Sequence, residues 1–182
     1  MSDTLGPLHI RPVTDHDWDG IAALEAGVYT PLGLSEGRAA LESRARVSPS
    51  TCFVLTSGHR TAGYVLTLPY PAFQSPDLER AERSAFASAN LHLHDLVVAE
   101  DFRGRGLARR LLRHLTATAR AQRYERISLV AVAGSETFWS ARGFTAHREV
   151  PLPASYGADA VYMSAPVPER QSGAGKTKRL TS

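Results

Sequence analysis

Apolar and polar positions along this chain change their period several times, and each change marks an element. Residues 8–13 form a short strand pattern carrying Pro12, which suits an edge or a strand end. Thr14 then reads as a helix N-cap with Asp17 three residues on, ahead of Trp18, Ile21, Ala22, Leu24 and Val28 at roughly helical spacing. Ser35 is the expected cap of a second helix through Arg46, with apolar Ala39, Ala40 and Leu41. Residues 51–57 and 61–68 are strand patterns separated by Gly58, His59 and Arg60, a hairpin signal. Pro69, Pro71 and Pro76 make residues 69–80 a loop, and a short helix is expected over 77–87.

Residues 91–99 (LHLHDLVVA) begin with strict alternation and read as a strand. They run into an amphipathic helix with Leu107, Leu111, Leu112 and Leu115 on one face. Residues 127–133 form a further strand. A short helix is expected from Ser135 to Arg142, with Gly143 stopping it. Residues 144–150 and 160–166 close the chain as two strands. The resulting order is β, α, α, β, β, β, α, β, α, β, β. It contains no internal repeat and describes one layered α/β domain.

Composition changes this picture little, but the placement of charge changes it more. The 182 residues are 43% hydrophobic and 21% charged, which suits a globular domain with its own core. The formal net charge is +3, from 21 basic and 18 acidic residues. Setting aside Lys176, Lys178, Arg170, Arg179 and Glu169 leaves 17 Arg against 17 acidic residues over positions 1–168. A neutral domain over 1–168 and a disordered basic tail over 169–182 are therefore expected, with no bulk electrostatic footprint for nucleic acid or membrane. The single cysteine, Cys52, provides no disulfide framework and no multi-cysteine zinc site. With no long apolar run and no basic, apolar leader pattern, a cytoplasmic location is expected.

The candidate chemistry begins where the strand at 91–99 meets the next helix. Over Arg103, Gly104, Arg105, Gly106, Leu107 and Ala108 the small residues allow close backbone approach. The first-turn N–H groups of the helix then point outward at the positive end of its dipole. Such a turn suits a pyrophosphate, and Arg103 and Arg105 add charge. A second glycine-rich stretch, Gly173-Ala174-Gly175-Lys176-Thr177, resembles the end of a P-loop. It has Arg170 where that motif needs glycine, and no strand precedes it, so no nucleotide site is expected there. Two imidazoles, His92 and His94, lie two residues apart on the preceding strand and share one face. Two imidazoles this close do not both stay protonated easily, which favours one neutral base near pH 7. On a regular strand Asp95 would point to the opposite face, where pairing with an arginine is its expected role, ahead of orienting a water.

The spacing Arg-x-x-Gly-x-Ala from Arg103 to Ala108, in this order of elements, resembles the GNAT superfamily of acyl-CoA-dependent N-acyltransferases. The segment Phe138-Trp139-Ser140-Ala141-Arg142-Gly143-Phe144 is similar to that family's aromatic-x-x-x-Gly-Phe stretch. The resemblance covers about residues 8–166. It implies a mixed, mostly antiparallel sheet of about seven strands flanked by helices, splayed between the strands at 91–99 and 127–133. It also implies that the amides of Arg103 to Ala108 hold the CoA pyrophosphate, while Leu96, Val97 and Val98 run beside the pantetheine, with Trp139 nearby. The His-x-His pair is similar to that of arylalkylamine N-acetyltransferases, which implies catalytic roles for His92 and His94. Trp139 stands where many members have the tyrosine that reprotonates the leaving thiolate; Tyr156, in a loop, is the preferred substitute, with Tyr162, another group, solvent and the departing amine as alternatives. Tyr29, Tyr64, Tyr70 and Phe73 suggest an aromatic component to the acceptor pocket. Cys52 is expected to be a buried, inert thiol, so the acceptor attacks directly. The implied activity is transfer of acetyl from acetyl-CoA to a primary amine of a small molecule, without a metal. A protein amine as acceptor, an aminoacyl-tRNA donor, a non-catalytic CoA-binding domain and a homodimer remain open alternatives.

Overall fold

The computed structural model describes residues 6–169, and the element order matches the expected one. Strands are β1 (Leu8–Pro12), β2 (Phe53–Ser57), β3 (Arg60–Pro69), β4 (Asn90–Val98), β5 (Arg126–Ala131), β6 (Thr145–His147) and β7 (Val161–Pro166). Helices are α1 (Trp18–Tyr29), α2 (Arg38–Val47), α3 (Leu107–Ala121) and α4 (Glu136–Ser140). The seven strands form one sheet in the order β1-β2-β3-β4-β5-β7-β6. Every neighbouring pair is antiparallel except β4 with β5. The fold is thus the mixed, mostly antiparallel α/β sheet flanked by helices that the resemblance implied.

Alternation along the strands sorts the core onto two faces. Val65 of β3, with Leu91 and Leu93 of β4, joins Leu107, Leu111 and Leu115 of α3 in one cluster. Tyr64 and Leu66 of β3, with Val97 of β4, join Trp18 and Ile21 of α1 and Leu41 of α2 in the other. Burying this apolar surface on both faces is what holds helices to sheet.

Three local expectations are corrected. Residues 77–87 form no helix: a single turn closes where the Arg80 N–H donates to the Asp77 carbonyl at 3.1 Å, and the rest is irregular. The carbonyls of Asp77 and Arg80 are instead acceptors for Arg44, at 3.0 and 3.2 Å. Ser35 does not cap α2. Gly37 does so at φ +82°, and the Ser35 hydroxyl donates to Glu25 at 2.7 Å. The β2–β3 turn has two residues, Gly58 and His59, because Ser57 pairs with Arg60. The glycine-rich stretch at 173–177 and the expected tail beyond Glu169 lie outside the described residues.

Candidate active site

The site is built on an interruption in the sheet. Parallel pairing of β4 with β5 runs from Asn90 opposite Arg126 to Leu93 opposite Leu129 and then stops. Beyond it the strands part, leaving a cleft of about 630 Å³. One wall is β4 from Leu93 to Val98; the other includes Leu129, Val130, Val132 and Ala133. Lining residues come from α3 on one face of the sheet and from Val28, Tyr29 and Leu32 on the other, so the cleft passes through the sheet.

On the α3 side the turn has the geometry expected of an anion site. Gly104 and Gly106 adopt φ +74° and +72°, the left-handed region that glycine enters without penalty. Gly106 is the N-cap of α3, which has no acidic residue in its first turn. Its leading N–H groups therefore keep unspent donor capacity at the positive end of a fifteen-residue helix. Arg103, Gly104, Gly106, Leu107 and Ala108 all line the cleft, together with Leu96, Val97, Val98 and Trp139. Arg105 alone among the expected cofactor residues does not, its guanidinium standing 6.0 Å from the centroid of the Phe102 ring. Two cations that the sequence reading did not single out, Arg109 and Arg142, complete a positive rim. The buried Nε of Arg142 has no protein partner. The indole of Trp139 packs edge-on to Phe138 and Phe144 at 4.9 and 5.4 Å.

The two histidines have different surroundings. The register of β3 against β4 jumps between Leu66 opposite Asp95 and Thr67 opposite Leu93, so His94 is the extra residue of a bulge. His94 lines the cleft, whereas His92 does not. His92 is buried, with Nδ1 2.9 Å from Ser128 Oγ and its ring stacked on Tyr162 at 6.5 Å. Burial, followed by the charges of His94 and Arg44, pushes its pKa well below the usual imidazole range, so it stays neutral.

His94 Nε2 is hydrogen-bonded to Glu36 Oε2, and its Nδ1 is buried without a partner. Glu36 is also ion-paired to Arg44, a guanidinium with no solvent exposure. Burial opposes ionisation of Glu36, but the His94 and Arg44 interactions outweigh it and hold its carboxyl below the ordinary range. Neither Glu36 nor Arg44 stood out in the sequence. A signal existed: Arg44 falls with Leu41 and Ala45 on the buried side of α2, where an apolar residue is expected.

The bulge also turns Asp95 onto the α1 face, correcting the expectation of a regular strand. Its carboxyl accepts the hydroxyls of Tyr29, at 2.8 Å, and Tyr64, so its structural partners are two tyrosines and not the expected arginine. Burial raises it from 3.8 to about 6 against those two hydrogen bonds. Tyr29 lines the cleft; Tyr64, Tyr70 and Phe73 do not. Tyr156 is also outside the lining, buried, with its hydroxyl donated to the Pro76 carbonyl at 2.8 Å. Cys52 is fully buried and its thiol, pushed up to about 12 by burial, donates to the Thr67 carbonyl at 3.2 Å, as suits an inert group. Among the described residues no cluster of three metal-ligating side chains occurs, and no helix is long and apolar enough to cross a membrane.

Comparison with known proteins agrees with this architecture. Sequence search among curated proteins gave no match. Solved structures give the fold. The GphF GNAT-like decarboxylase in complex with isobutyryl-CoA superimposes with a TM-score of 0.72 at 20% identity, over 88% of this chain and 100% of that one. N-acetylglutamate synthase from Neisseria gonorrhoeae, solved with coenzyme A and N-acetyl-glutamate, gives 0.70 at 19% identity, over 90% of this chain but 36% of that one. Ard1 from Thermoplasma volcanium gives 0.68 at 17% identity, over 89% and 99%. The sequence profile of the Acetyltransferase (GNAT) family matches residues 18–144, and the chain therefore belongs to that family of acetyltransferases.

Proposed function

We propose that this protein is an acyl-CoA-dependent N-acyltransferase that moves an acetyl group from acetyl-CoA to a primary amine on a small molecule. The observation that carries this reading is the placement of His94. His94 lines the same cleft as the glycine turn at the start of α3, and its ring stands just behind that wall with Nδ1 buried and unpartnered. The donor supplies an activated thioester carbonyl. Residues of this chain supply the rest. The first-turn amides of α3, with Arg103, Arg109 and Arg142, form the phosphate end. The unpaired edge of β4 beyond Leu93 offers backbone hydrogen bonds to an extended acyl carrier. In this reading backbone N–H groups polarise the thioester carbonyl.

In this reading the attacking amine loses its proton through water to His94 Nδ1 as the C–N bond forms and the C–S bond breaks. His92 lies behind it and acts through Ser128 and its neighbours rather than at the reacting atoms. Tyr156 holds a loop in this reading, and the departing thiolate takes its proton from solvent or from the amine. The wall formed by Val28, Tyr29 and Leu32 favours an acceptor with an apolar or aromatic part. A panel of primary amines with acetyl-CoA, read by thiol release, tests the assignment. Turnover that falls about 10²-fold or more in His94→Ala, with KM for acetyl-CoA little changed, is expected. Failure of every amine, alongside turnover with aminoacyl-tRNA or a protein amine, would move the assignment to that substrate. Acetyl-CoA binding without turnover on any acceptor would leave a CoA-binding domain.

A further inference from the structure

The chain behind His94 is more specific than a buried ion pair requires. Glu36 Oε1 takes two N–H bonds from Arg44, from Nε at 3.0 Å and from Nη2, while Oε2 faces His94 Nε2 alone. The side chains are 4% exposed for Glu36, 0% for Arg44 and 2% for His94. Each member is held from behind. The Glu36 N–H donates to Glu25 Oε1 at 2.8 Å, and Arg44 Nη1 reaches Glu82 Oε1 at 2.8 Å. Glu36 therefore has neither rotational freedom nor solvent to compete for its second oxygen.

An ionised carboxylate only accepts hydrogen bonds. In the neutral imidazole, the carboxylate therefore fixes the proton on Nε2 and leaves the lone pair on Nδ1, the nitrogen that has no protein partner. We infer that Glu36, oriented by Arg44, is a positioning residue that sets the tautomer of His94 and so decides which ring nitrogen can act as base. The inference rests on the reading of His94 as the base but adds residues and a device which that reading does not contain.

The Arg44 guanidinium makes the inference testable, because it donates and never accepts. In Glu36→Gln the amide oxygen has to stay on Arg44, which turns the NH₂ toward His94 Nε2. That nitrogen then has to accept, and the proton moves to Nδ1. The isosteric variant should thus reverse the tautomer rather than merely loosen it. The experiment is side-chain ¹⁵N spectroscopy of the full chain in alkaline buffer, with His94 assigned by comparison with His94→Ala. The wild type is expected to carry its proton on Nε2 and Glu36→Gln on Nδ1. With a working amine, kcat of Glu36→Gln is expected to fall about 10²–10⁴-fold at little change in KM for acetyl-CoA. In a His94→Ala background the same substitution is expected to cost no more than about 2-fold, since both act as one unit.

A wild-type proton on Nδ1 would overturn the inference without any variant, so misfolding of Glu36→Gln leaves it falsifiable. An unchanged tautomer in a folded Glu36→Gln, or equal losses with and without His94, would also overturn it. If the tautomer reverses while no amine is turned over, the positioning role stands and the assignment of His94 as base is what fails.

Discussion

Asp95 sits where a regular strand would not have put it, and its titration follows from that. The bulge at His94 turns it into the α1 face, where burial outweighs two tyrosine hydrogen bonds and lifts it to about 6. A carboxyl whose folded value lies above its unfolded one binds a proton on folding. Its favourable contribution is complete below about pH 4 and is lost as pH rises through about 6. Asp95→Asn removes this titration while keeping one acceptor and the shape. Relative to wild type, the variant should gain on the order of 3 kcal/mol between about pH 4 and pH 7, as measured by urea unfolding across pH. A constant difference over that range would show that Asp95 is ionised throughout. At this scale the sequence placed small residues at the start of α3 and two histidines on one strand, two placements that the structure keeps. It could not distinguish the histidines, because burial of His92 and the pairing of His94 with Glu36 depend on residues far away in the chain.

At the scale of elements, the site depends on β4 parting from β5 beyond Leu93 while staying paired to β3. Gly63 on β3 marks how tight that pairing is: a Cβ there would meet the Val97 carbonyl oxygen at 2.7 Å and Leu111 Cδ1 at 3.4 Å. Backbone cannot yield as a side-chain tip can, so Gly63→Ala has to push β4 toward the cleft. Destabilisation of about 1–3 kcal/mol is expected, with weaker binding of CoA, read from denaturant midpoints and by calorimetry. An unchanged midpoint and affinity would mean that β4 shifts freely. Element existence and order were legible because the periods were clear, above all the apolar stripe of α3. The helix expected at 77–87 failed because periodicity there carried no information about Arg44, whose bonds to the Asp77 and Arg80 carbonyls hold that segment in an irregular path.

At the scale of the whole molecule, the cleft divides one sheet into a part containing β1 to β4 and a part containing β5 to β7. The two parts join through only four register pairs between β4 and β5. A ligand spanning the gap binds only the assembled sheet, so it should stabilise the protein as a unit. At about 100 times its Kd, CoA is expected to add roughly 2.7 kcal/mol and to raise Tm by about 5–10 °C for a domain of this size. Thermal unfolding at increasing CoA checks this, and a Tm independent of CoA would remove the cleft as its site. The near balance of charge over residues 1–168 leaves the positive rim of Arg103, Arg109 and Arg142 as the local field for an anion.

The sequence by itself determined the order of elements, the layered α/β class and the glycine turn ahead of α3, because each is written in local period or local backbone freedom. It also determined the family, whose signature lies within those same local segments. Only the tertiary structure decided that β4 bulges at His94 and that its pairing with β5 stops at Leu93. It also decided that Glu36 and Arg44, from outside that strand, stand behind the imidazole. Those outcomes depend on which groups share a buried, low-dielectric space, and neither period nor spacing along the chain encodes that.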